Sequence, residues 1–273
     1  KKYVILFLIG FVYKFLIHDS LFPIIDMRIK FYQGIHPIEL WLIVLSAKSF
    51  IYSSLVGYTS MTVGLAGLVG IRLDLSFRRP FHQSNILSFW KSWQIPILNW
   101  IEQNVIFKLF GKLNRIKSLF IYLCCLFLTV SLWHGLRWNF ALYGILQAIM
   151  IWIYVRWVRK MPCLFGQTLN YFLFQIFCIN IPAVLMLTPS PQYFFDFLLS
   201  LIKIENQDYD LQNIVLILAV ILFLVLLEKY SRLILRLLYR TSDLLFVAAV
   251  TLILLISISL GSGVASTFVY SSP

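Results

Sequence analysis

Seven apolar stretches, each near the length a helix needs to cross hydrocarbon, divide this 273-residue chain: 3–17, 39–71, 118–134, 138–155, 168–187, 211–227 and 244–261. A bilayer core about 30 Å thick calls for about 20 mostly apolar residues in helix, and an open sheet cannot satisfy its backbone there. The pattern predicts an all-α, polytopic membrane protein, a single transmembrane domain over residues 1–273. Composition agrees, with 60% apolar and 12% charged residues against about 45–50% and about 25% in soluble domains. The mean hydropathy of +0.86 excludes a disordered chain. Stretch 39–71 would reach about 50 Å at about 1.5 Å per residue, so it is expected to tilt, break or re-enter. Gly57, Gly64, Gly67 and Gly70 mark where a break or a close helix contact is easiest.

Charge alternates along the connections. Arg72, Arg78, Arg79, Lys91, Lys108, Lys112, Arg115 and Lys117 occupy the first basic connection, Arg156, Arg159 and Lys160 the second, and Lys229, Arg232, Arg236 and Arg240 the third. Between the last two, residues 188–210 carry Asp196, Glu205, Asp208 and Asp210 against Lys203. If each stretch crosses once, the basic connections share one side, which the positive-inside rule makes cytoplasmic. The excess of 23 Lys+Arg over 11 Asp+Glu thus reads as topology and anionic lipid, not nucleic acid. The start at Lys1-Lys2-Tyr3, followed at once by an apolar run ending in His18-Asp19, reads as a fragment of a longer protein rather than a signal peptide.

Segment 85–117 differs from the spans. Ile86, Phe89, Trp90, Trp93, Ile97, Trp100, Ile101, Val105 and Leu109 recur at helical spacing, interrupted by Lys91, Gln94, Asn99, Glu102, Gln103 and Asn104. This is too polar for bare lipid and too aromatic for a solvent loop. It reads as helical pieces at the interface or lining a cavity.

Chemistry-bearing residues are few. Cys124, Cys125, Cys163 and Cys178 lie in or beside apolar runs without CxxC or His-pair spacing, and read as reduced packing residues. No phosphate loop, zinc spacing or Gly-x-Ser-x-Gly elbow occurs. Of the histidines His18, His36, His82 and His134, the last stands in LFLTVSLWHGLRWNFALYGIL, amid apolar sequence. An ionisable residue there is a functional hypothesis by default. Loss of water favours the uncharged imidazole that a general base requires. Gly135 permits a sharp turn and Trp133 a pocket wall; a plain hairpin-tip histidine is the equally weighted alternative. Lys14 and Lys48 read as snorkelling to an interface. Gln147, Gln175 and Asn180 read as helix-to-helix hydrogen bonders, Arg137 as a turn cap, and His18 with Asp19 as a polar pair.

Four stretches in order resemble the membrane-bound O-acyltransferases, and within them the bacterial branch of alginate acetylation and teichoic acid D-alanyl transfer. GFVYKFLIHDSLFPIID is similar to that branch's segment ending in Lys-x-x-x-x-x-Asp-x-Leu. FIYSSLVGYTSMTVGLAGLVGI with FRRPF resembles Gly-Tyr-Ser-Asp-Met-Ala-x-Gly-Leu and Asn-x-Pro-[Tyr/Phe]. NILSFWKSWQIPILNWIEQNVIFKLFG resembles Phe-Trp-Arg-Arg-Trp-His with a downstream Arg-Asp-Tyr. SLWHGLRWNFALYGILQA resembles the Trp-His-Gly segment and its following Tyr/Trp-Gly-x-x-[His/Gln]. The later INIPAVLMLTPSPQYFFDFLLSL resembles the Leu-Gly-Trp-x-x-Phe-Arg segment.

The resemblance implies a multi-helix bundle with an internal tunnel and interfacial helices, His134 as catalytic base, and Gln103 or Asn104 at the second polar catalytic position. It implies a substrate-binding wall of Trp133, Trp93, Gln94 and Trp100. The sequence departs from the pattern at Ser60, where the branch has Asp, at Gln94, where it has His, and at Glu102-Gln103-Asn104, which replace Arg-Asp-Tyr. The implied activity is transfer of an acetyl or similar acyl group from a cytoplasmic thioester, acyl-CoA or acyl-carrier protein, to a hydroxyl of a cell-envelope polysaccharide. No tightly bound cofactor or metal is implied. The implied partners are membrane lipid, the donor or its carrier protein at the cytoplasmic face, and an extracytoplasmic transferase, in a bacterial cytoplasmic membrane. Two other readings stay open: lipid or protein O-acylation by another branch, and a degenerate acyl conduit or scaffold. A transporter is disfavoured because no paired repeat of broken helices and no intramembrane carboxylate stands out.

Overall fold

The computed structural model describes residues 1–110, 116–160, 167–203 and 210–260. Lys112, Arg115, Cys163, Glu205 and Asp208 lie outside these. The described residues are predominantly helical and include no strand, as expected for an all-α chain. In order the helices are α1 (Lys2–Phe11), α2 (Asp19–Lys30), α3 (Pro37–Leu68), α4 (Ile86–Lys91), α5 (Ile95–Ile101), α6 (Phe107–Phe110), α7 (Ile116–Trp133), α8 (Trp138–Arg156), α9 (Gln167–Leu173), α10 (Ile181–Leu187), α11 (Pro191–Ser200), α12 (Leu211–Arg240) and α13 (Asp243–Leu260). Wider π-helical turns join α1 to α2 (Val12–His18), α5 to α6 (Glu102–Ile106) and α9 to α10 (Phe174–Asn180).

Among the described residues five helical runs are long and apolar enough to cross a membrane: Lys2–Lys30, Pro37–Leu68, Trp138–Arg156, Leu169–Leu187 and Leu211–Tyr230. Leu119–Trp133 and Asp243–Ser257 are shorter apolar helices. Each of the seven apolar stretches therefore folds as helix over most of its described residues. The first runs on to Lys30, because the π-turn carries the helix through the polar Lys14-His18-Asp19 stretch.

The chain divides into two compact units, Lys1–Leu75 with Ile204–Pro273, and Ser76–Lys203. In the first unit α3 neither breaks nor re-enters: it is one 32-residue helix. Its glycines serve close packing against α1 instead. A Cβ at Gly64 would lie 2.7 Å from the Phe7 nitrogen, and one at Gly10 would lie 2.6 Å from both the Gly57 oxygen and the Met61 nitrogen. Side chains at these points would force the backbones apart. Gly70, at φ +87°, stops the helix, and the Ile71 N–H donates back to the Ala66 carbonyl at 2.9 Å.

The two ends of this unit differ in charge. At one, Arg28 meets both Glu39 and Asp210 at 3.2 Å, while Asp210 caps α12 through the N–H groups of Gln212 and Asn213. At the other, where α1 begins and α3 and α12 finish, stand Lys1, Lys2, Arg72, Arg236 and Arg240, with Asp243 bound by Lys1 at 2.7 Å.

Between the ends the unit buries charge. Lys14 and Lys48 are buried rather than snorkelling: Lys14 pairs with Asp19, and its ammonium also lies 5.6 Å from the Tyr58 ring centre. His18 does not pair with Asp19. Its Nδ1 lies 3.2 Å from the Phe50 carbonyl oxygen and its ring stacks on Phe50 at 4.3 Å. Buried Glu228 of α12 accepts a hydrogen bond from Tyr52. Asp19 and Glu228 are thus carboxylates buried within membrane-length helical runs, where none stood out in the sequence. Glu228 was hidden beside Lys229 at the end of an apolar run.

Candidate active site

The second unit is built around the α7–α8 hairpin, whose tip is the Trp133-His134-Gly135 motif. Helix α7 ends as the His134 N–H donates to the Ser131 carbonyl at 3.1 Å and the Gly135 N–H to the Leu132 carbonyl at 3.2 Å. The Arg137 N–H bonds the Gly135 carbonyl at 3.0 Å, and the Arg137 carbonyl, at the N-cap of α8, accepts from Ala141. Gly135 lies under the Phe140 ring: an added Cβ would lie 2.8 Å from that ring and would push it aside. Gly144 lets the two helices close, its α-carbon facing the Phe127 carbonyl and Ser131 Oγ.

This turn sets His134 half-buried, with its ring 5.1 Å from the exposed Trp133 ring. The imidazole can therefore be reached, while the backbone that carries it is fixed. Buried Asn139 pins the hairpin to α10 by donating to the Leu185 carbonyl at 3.1 Å and the Thr188 carbonyl at 3.0 Å. Asn139 Oδ1 and Ser131 Oγ are buried beside the turn without a hydrogen-bond partner, two acceptors available to a polar group entering there.

Below the tip, aromatic residues brace α7 and α8. Trp90 of α4 packs edge-on against Phe127 at 4.8 Å, and its indole N–H donates to Gln147 Oε1 at 3.1 Å. Gln147 donates in turn to the Cys178 carbonyl at 3.3 Å, so it is the interhelical bonder expected. Asn180 is not, since its amide bonds the Gln175 carbonyl within its own π-turn. Cys124, Cys125 and Cys178 are free thiols.

The other expected site residues fall at different places. Trp93 is buried, stacked on Phe89 at 5.3 Å within the Trp90 cluster. Gln94 is buried beside it with φ +46° and ψ +45°, and its Oε1 has no partner. A non-glycine residue held left-handed stores strain of a kind that gathers at functional sites. Trp100 is exposed, Gln103 is exposed, and Asn104 is half-buried, donating to the Trp100 carbonyl at 3.0 Å. Sequence reasoning passed over their neighbour Glu102, which accepts a hydrogen bond from Tyr122 of α7. Tyr122 stands twelve residues before His134, roughly 18 Å along a helix axis. His134 and the Gln103–Asn104 turn therefore meet α7 at opposite ends. A carboxylate next to two candidate amides was the available signal for Glu102. Among the described residues no cluster of His, Cys, Asp and Glu could hold a metal ion.

Residues 2–200 match the family described as MBOAT, membrane-bound O-acyltransferase. The chain belongs to that family. It is a multi-pass membrane protein, and outward apolar residues such as Leu218, Leu222 and Val225 of α12 suit lipid contact. The peptidoglycan O-acetyltransferase of Helicobacter pylori is 30% identical over 148 residues, 54% of this chain and 28% of that protein. The "Probable alginate O-acetylase AlgI" of Azotobacter vinelandii is 30% identical over 138 residues, 50% and 28% of the two chains. The teichoic acid D-alanyltransferase of Bacillus subtilis is 25% identical over 162 residues, 56% and 41%. The aligned part is thus well under half the length of each of these relatives.

Proposed function

We propose that the full-length protein is a cell-envelope O-acyltransferase that moves an acetyl or similar acyl group from a cytoplasmic thioester to a hydroxyl of an envelope polysaccharide, with His134 as general base. The observation that carries this reading is the half-buried His134 at the end of a braced hairpin, in a chain of this family. The relatives' names, acetylation of peptidoglycan or alginate and D-alanylation of teichoic acid, support an envelope polymer as acceptor.

The chemistry asks little beyond that imidazole. A ring nitrogen takes the acceptor's hydroxyl proton as its oxygen attacks the thioester carbonyl. The tetrahedral oxyanion collapses, the C–S bond breaks, and the proton passes from His134 to the departing thiolate. General base catalysis of this kind contributes about 10²–10⁴-fold. Orphaned Gln94 Oε1 suits acceptor positioning by hydrogen bonding. Gln103 or Asn104 at the family's second polar position would act by hydrogen bonding, orienting the acceptor or stabilising the oxyanion, rather than by proton transfer, since amides do not titrate. The donor arrives as acyl-CoA or on a carrier protein at the basic face, and an extracytoplasmic transferase is a candidate receiver.

The test is ester-linked acyl content of envelope polymers, released by mild alkali, from cells with and without the full-length gene. Acyl groups that disappear with the gene and return on complementation support the reading. Unchanged content leaves the scaffold alternative and removes the enzyme.

A further inference from the structure

The first unit holds a cavity lined by none of the residues assigned above to acyl transfer. It has a volume of about 890 Å³ and lies where α1 begins and α3 and α12 finish. Lys2, Arg72, Arg236 and Arg240 line it, over a floor that includes Ile5 and Leu6. The nearby ion pair is between Lys1 and Asp243, and Lys1 also donates to the Thr241 carbonyl at 2.9 Å. Among the described residues no carboxylate pairs with the four lining cations. Asp74, two residues from Arg72, does not line the cavity.

Topology alone does not require this arrangement. The positive-inside rule counts basic residues in a connection and is indifferent to whether they converge. Here cations from three elements face one concavity. Arg236 and Arg240 stand at i and i+4, a like-charge spacing that destabilises a helix unless an anion is shared between them. The C-terminal ends of α3 and α12 tolerate such cations through their dipoles, but this does not explain the apolar floor beneath. Charge at the rim and hydrocarbon below is the complement of an anionic amphiphile at a membrane surface. Arginine forks bind phosphate in two-pronged fashion, and basic pockets between membrane helices take anionic headgroups.

We propose that this cavity binds the phosphodiester headgroup of an anionic phospholipid, with Arg72, Arg236 and Arg240 on the phosphate and an acyl chain along Ile5 and Leu6. The bound lipid offsets the Arg236–Arg240 repulsion and ties α12 to α1 and α3 at their basic end. The assignment is independent of His134 and of the acyl-transfer reading.

The experiment is native mass spectrometry of the full-length protein in detergent, with phosphatidylglycerol, phosphatidylcholine or glycerol 3-phosphate added in turn. Phosphatidylglycerol is expected to remain bound in preference to phosphatidylcholine, with glycerol 3-phosphate much weaker for lack of a chain. Removing one surface cation weakens anionic lipid binding about fivefold, so Arg236→Gln with Arg240→Gln should weaken it about 25-fold. Arg72→Gln, on a different element, should weaken it about fivefold, and thermal unfolding in phosphatidylcholine should not fall in any of these variants, rising slightly in the double variant as the Arg236–Arg240 repulsion is removed. Equal retention of the two lipids, an unaltered preference in the double variant, or glycerol 3-phosphate binding as tightly as phosphatidylglycerol would each overturn the proposal.

Discussion

The two units treat a buried imidazole in opposite ways. In the first, His18 is sealed within the helix packing, its ring stacked on Phe50 and its Nδ1 against a backbone carbonyl. In the second, His134 sits half-exposed at a hairpin tip whose backbone is held by the turn itself and by Asn139. The same contrast runs through their surroundings. The first unit encloses a Lys14–Asp19 pair and Glu228, whereas the second relies on the neutral amides Asn139 and Gln147. Depth alone is therefore a poor sign of chemistry. A base needs a fixed backbone and an open approach, and only the second imidazole has both.

If that division is right, the first unit should fail through its packing and the second through its turn. Lys14→Ala takes the cation away from buried Asp19 and should cost about 3–5 kcal/mol. Lys14→Met with Asp19→Leu should recover most of that loss in thermal unfolding. If the single variant is as stable as the parent, the pair is not structural and the comparison breaks. Gly10→Val pushes a side chain into the Gly57 and Met61 backbone and should cost about 1–3 kcal/mol or more, visible as a lowered unfolding midpoint. In the second unit, Asn139→Ala takes its donor from the Thr188 carbonyl and leaves the Leu185 carbonyl only the Thr188 hydroxyl, and should cost about 1–3 kcal/mol. Activity should fall further than the folded fraction does, because the hairpin loses its tie to α10. The smallest effect is expected of Gln147→Leu, about 1.2 kcal/mol, from two interhelical hydrogen bonds at about 0.6 kcal/mol each in a membrane protein. A large loss there would mean that the Trp90–Gln147 link sets the position of the tip.

Much of this was legible in the residues, for a physical reason. Long apolar runs in a bilayer can only be helices, so all seven were visible, and the polar-aromatic interruptions of 85–110 marked α4, α5 and α6 as short pieces. Trp-His-Gly marked the hairpin turn because a glycine between two apolar runs permits a sharp turn or a close contact, here with the Phe140 ring. What was not legible depended on partners distant in sequence. Lys14 reads as an interfacial cation until α3 closes over it, and the glycines of α3 read equally as breaks or contacts until α1 is known to lie against them. Glu102 and Glu228 were masked by charged or amide neighbours, and their tyrosine partners lie twenty or more residues away. Nor does spacing alone tell that Gln103 and Asn104 meet α7 far from His134.

The most direct test compares His134→Ala with His18→Ala in the full-length protein, reading acyl groups transferred to polymer per unit of folded enzyme. The account predicts a loss of about 10²–10⁴-fold for His134→Ala at unchanged protein level, and near-parental turnover for His18→Ala once its folded fraction is counted. Full transfer by His134→Ala, or loss confined to His18→Ala, would contradict it.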